Sequence, residues 1–185
     1  MSRCIALVVG AGRGHRFGGD QPKQYSPLAG STVIGKTLKA FATHPSIDAV
    51  RAVIHPDDRD LYEAAIRGVE KNKILDPVGG GATRQDSVRL GLESLQGDAP
   101  DMVLIHDAAR PFVSTDIIDR VIEALGASKG AIAAMPVTDT LKSSDGGQIN
   151  TTVDRTGLWR AQTPQGFHYS DILDAHQVCR EDNSL

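Results

Sequence analysis

The sequence predicts an α/β fold built on a mainly parallel sheet. Short apolar runs alternate with segments of helical periodicity, which is the pattern of successive β-α units. A glycine-rich loop directly follows the first apolar run, at the position where open α/β sheets bind their ligands. Late in the chain, alternating apolar and polar residues flank a turn and indicate a β-hairpin. The length of 185 residues favours a single domain, residues 1–185.

Five apolar runs are predicted to form the strands of the sheet. The runs at residues 4–9 and 102–105 are apolar enough to be buried on both faces. The other predicted strands are residues 49–54, 73–75 and 131–135.

Between these runs, apolar residues recur at helical spacing. The clearest case is residues 115–125, where one stripe consists of Ile117, Ile118, Val121, Ile122 and Leu125. Ser114 stands where it can cap the N-terminus of this helix. The other predicted helices are residues 33–42, 57–69, 85–95 and 170–180.

A β-hairpin arm is predicted at about residues 137–156. Its two sides are residues 139–142 and 148–153, and the turn between them, residues 143–147, is rich in Ser and Gly. Such an arm either projects into solvent or contacts a second subunit, and the pattern alone leaves both readings open.

Composition and charge exclude several classes of protein. The 20 Lys and Arg residues are offset by 23 Asp and Glu, so the net charge is −3 and tight sequence-independent binding to nucleic acid or an anionic membrane is not expected. The apolar runs are far shorter than the ~20 residues of a membrane-spanning helix. Cys4 and Cys179 lie at opposite ends of the chain, which predicts neither a disulfide framework nor a Cys-rich zinc site. We expect a cytoplasmic protein.

The glycine loop at residues 9–19 is the first candidate binding site. Backbone N–H groups of glycine turns can surround phosphate oxygens. The dinucleotide pattern GxGxxG fails here, because His15 or Phe17 occupies the third glycine position. The cations Arg13, Arg16 and Lys23 suit a polyphosphate. The alternative is a flexible loop with solvated cations.

Residues 30–37 match the P-loop pattern GxxxxGK[ST] at every fixed position. A P-loop must follow a buried strand, but the segment before Gly30 is short and contains Pro27. Val33 and Ile34 also fit the apolar face of the following helix. The sequence therefore disfavours a P-loop NTPase.

Asp107 follows the apolar run at residues 102–105. A carboxylate that faces a triphosphate is the usual way to hold Mg²⁺, so we favour a metal ligand over a helix cap or turn residue. His106 is assigned no chemistry, since the six histidines show no metal-ligand spacing. Residues 79–87 form a second glycine-rich turn before a helix, which on its own is a weak nucleotide-binding signal.

Five ordered segments together resemble the 2-C-methyl-D-erythritol 4-phosphate cytidylyltransferase family. These segments are residues 10–16, 22–25, 83–88, 106–111 and 153–159, and the match extends to about residue 165. The resemblance implies a Rossmann-like sheet with helices on both faces. It also implies transfer of CMP from CTP to 2-C-methyl-D-erythritol 4-phosphate, with release of pyrophosphate, in the non-mevalonate route to isoprenoids.

The resemblance also implies roles for individual residues. The catalytic residues would be Arg16, Lys23 and Arg155. The nucleotide would be held by Gly10, Ala11, Gly12, Gly81 and Ser87. The acceptor site would consist of Asp107, Ala108, Arg110, Thr140 and Arg155. Asp107 would bind Mg²⁺ or another divalent cation. The arm would reach a partner subunit and form a homodimer with shared active sites.

Two features depart from the family pattern. The usual Pro-Ala-Ala-Gly opening is Val9–Gly10–Ala11–Gly12 here, which keeps the small residues that close backbone approach requires. The family's further C-terminal segment, with a lysine and a second metal-binding Asp, has no counterpart in these 185 residues. We therefore expect a chain that lacks this segment, or the N-terminal part of a bifunctional enzyme. The alternatives are a ribitol 5-phosphate cytidylyltransferase and a non-catalytic nucleotide-binding fragment.

Overall fold

The computed structural model describes residues 2–13 and 21–181, the side chains of Arg180 and Glu181 excepted. The helices are α1 Val33–Ala42, α2 Arg59–Ala65, α3 Arg84–Ser94, α4 Thr115–Ala124 and α5 Tyr169–Glu181. The strands are β1 Cys4–Gly10, β2 Pro27–Leu28, β3 Ser31–Thr32, β4 Ala49–Ile54, β5 Val78–Gly79, β6 Met102–Asp107, β7 Gly130–Pro136, β8 Leu141–Asp145, β9 Gln148–Val153 and β10 Trp159–His168.

Six of the strands form one mixed sheet in the order β5-β4-β1-β6-β10-β7. Strand β1 is parallel to both β4 and β6, and β5 is parallel to β4. Strand β10 is antiparallel to β6 and to β7, so β7 runs in the same direction as β6. The predicted α/β class with a mainly parallel sheet is confirmed.

Successive residues of β1 pack on opposite faces of the sheet, because side chains alternate along a strand. On one face, Ala6 and Val8 pack with apolar residues of α1, α2 and α4. On the other face, Ile5 and Leu7 pack with residues of α3 and α5. The helices therefore cover both faces, as predicted.

The N-termini of three helices are capped by hydroxyl side chains. Thr32 accepts a hydrogen bond from the N–H of Gly35 at α1, and Ser114 accepts one from Ile117 at α4, as its position predicts. Thr83 and Asp86 form a reciprocal capping box at α3. These caps fix where each helix begins after its loop.

The predicted hairpin arm is present as the antiparallel pair β8 and β9, which forms a separate two-stranded sheet. Gly146 and Gly147 both have positive φ angles at the turn, a conformation that favours glycine. The side chains of β9 are exposed throughout.

Three predictions about secondary structure were wrong. Residues 73–75 do not form a strand: a 3₁₀ turn, Lys71–Lys73, leads into a single bridge between Val50 and Ile74, and the edge strand is β5. The helix predicted at residues 57–69 is reduced to α2, because a 3₁₀ turn precedes it and the chain leaves helical geometry at Ile66. Strand β10 was not predicted.

Within the described ranges, no helix is both long enough and apolar enough to span a membrane.

Candidate active site

Three chain segments meet at the carboxyl edge of the sheet: the residues after β1, the turn between β5 and α3, and the end of β6. Their backbones approach so closely that a Cβ on Gly10 would lie 2.8 Å from the Cβ of Ala108. A Cβ on Gly80 would lie 2.3 Å from the Cβ of Ala11. Glycine is required at both positions because no side chain fits in these gaps.

Gln24 supports the glycine loop from behind. It belongs to the 3₁₀ turn Lys23–Tyr25, and only 3% of its surface is exposed. Its Nε2 donates hydrogen bonds to the carbonyl oxygens of Gly10, at 2.7 Å, and Gly12, at 3.1 Å. The loop entrance is therefore fixed by a buried side chain that lies outside the loop.

Arg13 does not project from the loop as a solvated cation. Its guanidinium donates to Asp58 at 2.8 Å and to Asp57 at 2.7 Å, and it lies 2.7 Å from Nδ1 of His55. The carboxylate of Asp58 is almost fully buried. The expectation that Arg13 is one of three cations poised for a polyphosphate is therefore corrected: its charge is already engaged by carboxylates.

The second glycine turn is held by Ser87 of α3. Its hydroxyl accepts a hydrogen bond from the N–H of Gly81 at 3.1 Å and donates to the carbonyl of Thr83 at 2.9 Å. Ser87 is buried, so in this structure its hydroxyl shapes the turn. The predicted contact of Gly81 and Ser87 with a nucleotide stays a prediction.

Asp107 lies at the end of β6 between two guanidinium groups. Arg84 donates to Oδ1 from both Nε and Nη2 at 3.1 Å, and Arg110 donates to Oδ2 at 3.0 Å. Partial burial raises the pKa of this carboxyl, but the hydrogen bond from Arg110 and the charge and hydrogen bond of Arg84 outweigh it, and the net pKa lies below the ordinary value. Asp107 is therefore an ionised carboxylate at neutral pH.

A buried network orients the backbone around Asp107. Burial lowers the pKa of His106, so its imidazole is neutral at neutral pH. Its Nε2 lies 3.0 Å from the carbonyl oxygen of Arg110, which assigns the proton to that nitrogen. Its Nδ1 then accepts the hydroxyl proton of Thr163 at 3.0 Å, and that hydroxyl oxygen accepts from the N–H of Asp107 at 3.3 Å.

Two of the three predicted catalytic residues, Lys23 and Arg16, belong to the N-terminal part of the chain. Lys23 is exposed at the start of the turn that contains Gln24. Arg16 lies outside the described residues. Their roles stay predictions.

Two of the predicted acceptor residues, Thr140 and Arg155, lie on the hairpin arm. Thr140 is exposed, and Arg155 donates to the carbonyl of Thr138 at the base of the arm. Among the described residues, the polar side-chain partners of Arg110 are Asp107 and Gln162, and no hydrogen bond or ion pair joins Arg110 to Thr140 or Arg155. The predicted role of Thr140 and Arg155 in the acceptor site stays a prediction.

The P-loop pattern at residues 30–37 is not a phosphate loop. Residues 31–32 form β3, which among the described residues pairs only with the two-residue β2, and α1 begins at Val33. Thr37, which a P-loop would direct to a metal ion, is buried and donates to the carbonyls of Val33 and Ala108. The sequence-based rejection of this pattern agrees with the structure.

Sequence reasoning missed four polar residues of this edge. Gln162 and Thr163 lie on β10, which was not predicted, and Gln162 accepts a hydrogen bond from Arg110. Arg84 and Gln24 belong to motifs that the sequence did show, but their partners are 23 and up to 14 residues away along the chain. Their position beside the predicted site residues was the available signal.

Comparison with known proteins decides the family. The family model described as 2-C-methyl-D-erythritol 4-phosphate cytidylyltransferase, IspD, matches residues 4–184. The chain belongs to this family. A curated IspD-family relative, the bifunctional enzyme IspD/IspF of Rhodospirillum rubrum, is 61% identical over 178 residues, which are 96% of this chain and 46% of that protein. The chain thus spans about half the length of this relative.

Solved structures of the family share the fold. A crystal structure of 4-diphosphocytidyl-2C-methyl-D-erythritol synthase is 36% identical, with a TM-score of 0.79, over 96% of this chain and 79% of the other. The Francisella tularensis 2-C-methyl-D-erythritol 4-phosphate cytidylyltransferase is 30% identical, with a TM-score of 0.82, over 98% and 80% of the two chains.

Proposed function

We propose that this chain transfers CMP from CTP to 2-C-methyl-D-erythritol 4-phosphate and releases pyrophosphate. An oxygen of the acceptor's 4-phosphate attacks the α-phosphorus of CTP and forms a new P–O–P linkage, while the bond from that phosphorus to the oxygen bridging it to the β-phosphate breaks and pyrophosphate leaves with that oxygen. The observation that carries the proposal is the sheet edge of an IspD-family chain, where two glycine turns face an ionised Asp107 flanked by Arg84 and Arg110.

Such a transfer needs position and charge more than covalent chemistry. In this proposal, the backbone of Gly10, Ala11, Gly12 and Gly81 holds the nucleotide, with Ser87 fixing the second turn. Lys23 and Arg16 stabilise the negative charge that accumulates on the triphosphate as pyrophosphate leaves.

Asp107 fits the role of a magnesium ligand. Its oxygens are the hard donors that Mg²⁺ prefers, and Mg²⁺ often binds one carboxylate together with substrate phosphates. No group of three His, Cys, Asp or Glu side chains in the described part of the chain is arranged to hold a metal ion. A bound ion would neutralise part of the triphosphate charge. Asp107 would have to exchange one arginine partner for it.

The acceptor site and its oligomeric state are proposed together. Arg110 and Ala108 lie at the sheet edge, whereas Thr140 and Arg155 lie on the arm, and in this proposal the arm of a partner subunit brings the last two residues to the acceptor phosphate. Support for a homodimer comes from an apolar groove of about 880 Å³ beside the edge strand β7. Exposed apolar side chains line it, namely Phe112, Ile132, Met135 and Trp159.

The experiment that tests the activity is a coupled assay of pyrophosphate release. CTP and Mg²⁺ are supplied with 2-C-methyl-D-erythritol 4-phosphate, with ribitol 5-phosphate, or with no acceptor. We expect release only with the first acceptor. Release with ribitol 5-phosphate alone would reassign the acceptor, and binding of CTP without release would indicate a nucleotide-binding module.

The homodimer is tested separately by light scattering of the purified chain. We expect the mass of two chains, and we expect Trp159→Ser together with Met135→Ser to give the mass of one. A monomer in the unsubstituted chain would contradict the shared site.

A further inference from the structure

We propose that Gln24 is the positioning residue of the nucleotide loop: its buried amide binds two loop carbonyls and thereby turns two backbone N–H groups outward to receive phosphate oxygens. This inference rests on the proposed function. Gln24 itself touches neither substrate, so its effect is exerted through the backbone of the loop.

The direction of the N–H groups in this loop follows from peptide geometry. In a trans peptide the carbonyl and the N–H of the next residue point in opposite directions. Both peptides that Gln24 contacts are trans. Because Gln24 Nε2 holds the carbonyls of Gly10 and Gly12 on the buried side, the N–H groups of Ala11 and Arg13 point to the other side of the loop.

The N–H groups of Ala11 and Arg13 are the donors proposed to bind phosphate oxygens. In the part of the chain that the structure describes, neither the N–H of Ala11 nor that of Arg13 donates to a protein acceptor. Two outward N–H groups, two residues apart, form a concave anion site of the kind that holds phosphate oxygens. The neighbouring strand end carries Asp107, paired in register with Val9, so these donors lie beside the predicted metal ligand.

The same loop segment is also held in place when no nucleotide is bound. The side chain of Arg13 is fixed by the buried carboxylate of Asp58 at 2.8 Å, which anchors the far end of the same segment. Gln24 orients the peptides and the Arg13 pair limits their movement, so the site is organised before a nucleotide arrives. Such preorganisation favours binding, because less conformational freedom is lost in the complex.

The test replaces Gln24 by methionine, which keeps the side-chain length and removes both donors. Gln24→Glu is a second variant with the shape of glutamine. The matched control is Lys73→Met, since Lys73 Nζ also donates to two main-chain carbonyls, those of His44 at 2.9 Å and Ile47 at 2.6 Å, away from the loop. Circular dichroism and thermal melting establish that each variant is folded.

Calorimetric titration with CTP and, separately, with inorganic tripolyphosphate gives the dissociation constants at fixed Mg²⁺. We expect both constants to rise at least about tenfold in the folded Gln24 variants and to change by less than about twofold in Lys73→Met. Hydrogen exchange of the peptide that covers residues 10–13 should also become faster in the Gln24 variants alone. The KM for the acceptor should stay within about threefold, because the residues proposed for the acceptor site lie at the end of β6 and on the arm.

The titrations distinguish failure of the role of Gln24 from failure of the proposed function. If the unsubstituted chain binds CTP and a folded Gln24→Met chain binds it equally well, the role of Gln24 is refuted while the proposed function stands. If the unsubstituted chain binds neither CTP nor tripolyphosphate, the proposed function fails and the role of Gln24 fails with it.

Discussion

Replacing Gly80 by alanine should separate the two glycine turns of the site. The new Cβ would lie 2.3 Å from the Cβ of Ala11 and 2.8 Å from Oγ of Ser87, whereas ordinary van der Waals contact begins at 3.4 Å. Ala11 has no flexible side chain that could rotate away, so one backbone must retreat by about 1 Å. That displacement moves the N–H groups that the proposal assigns to the nucleotide.

The expected magnitude follows from this shift. Overpacking of a close contact typically costs about 1–3 kcal/mol of unfolding free energy, and each kcal/mol lowers the Tm of a chain of this length by roughly 2–4 °C. A misplacement of about 1 Å in a catalytic site can reduce turnover by about 10²-fold. We therefore expect a folded Gly80→Ala chain whose kcat/KM for CTP falls about 10²-fold.

Gly79→Ala is the control for this substitution. It is the last residue of β5, directly before Gly80, and among the described residues its new Cβ would meet only Cγ of Pro56, at an ordinary 3.5 Å. Pyrophosphate release and thermal melting are measured on both variants. If Gly80→Ala retained the kcat/KM of Gly79→Ala, the close packing of the turns would not govern nucleotide binding and this reasoning would be refuted.

Three further predictions address other parts of the chain. Lys23→Ala should lower turnover by ~10²–10³ with an unchanged melting temperature, because one donor aimed at developing charge is removed; near-normal steady-state turnover would refute the role of Lys23. Thr163→Val removes the hydroxyl that links His106 to the N–H of Asp107, so kcat/KM should fall about tenfold, and Thr163→Ser should restore it; equal rates in the two variants would contradict the network. Burial, with a smaller contribution from the charge of Asp48, raises the pKa of the Cys4 thiol to about 12. Ellman's reagent at pH 8 should therefore label the partly exposed Cys179 in the native chain, and both cysteines only after denaturation; fast native labelling of Cys4 would contradict its burial.

The elements that the sequence predicted well are those whose signal is local. Helix α1 has the predicted bounds, and β1, β4 and β6 lie within a residue or two of theirs, since their apolar residues face the core directly. Strand β7 lies within a residue of its predicted bounds, with Ala131 and Ala133 packed against the core. The helix predicted at residues 57–69 is shorter, although Ile66 and Val69 are buried as its periodicity requires. Turns after Ala65 bury these two side chains without continuing the helix.

Strand β10 could not be recognised from local pattern. The first three residues of β10, which include Arg160, are exposed. The register of β10 with β7 shifts between Ala161 and Gln165. Its place in the sheet is fixed by backbone pairing with β6 and β7, which lie far away along the chain. Gln162 and Thr163 were missed at the site for the same reason.

The candidate site shows the same division between local and distant information. The sequence indicated the glycine turns and Asp107 because they follow apolar strands at the carboxyl edge. It could not show that Arg13 pairs with Asp57 and Asp58, which are more than 40 residues away, or that the amide of Gln24 holds the loop. Such contacts depend on how β1 and β4 lie side by side.

The transfer of CMP to 2-C-methyl-D-erythritol 4-phosphate is best tested by measuring pyrophosphate release from CTP and Mg²⁺. The assay is run on the 185-residue chain and on a chain extended to the length of its relatives. We expect pyrophosphate release that requires 2-C-methyl-D-erythritol 4-phosphate and is abolished by Asp107→Asn. Release that is independent of this acceptor, or no release from either chain, would contradict it.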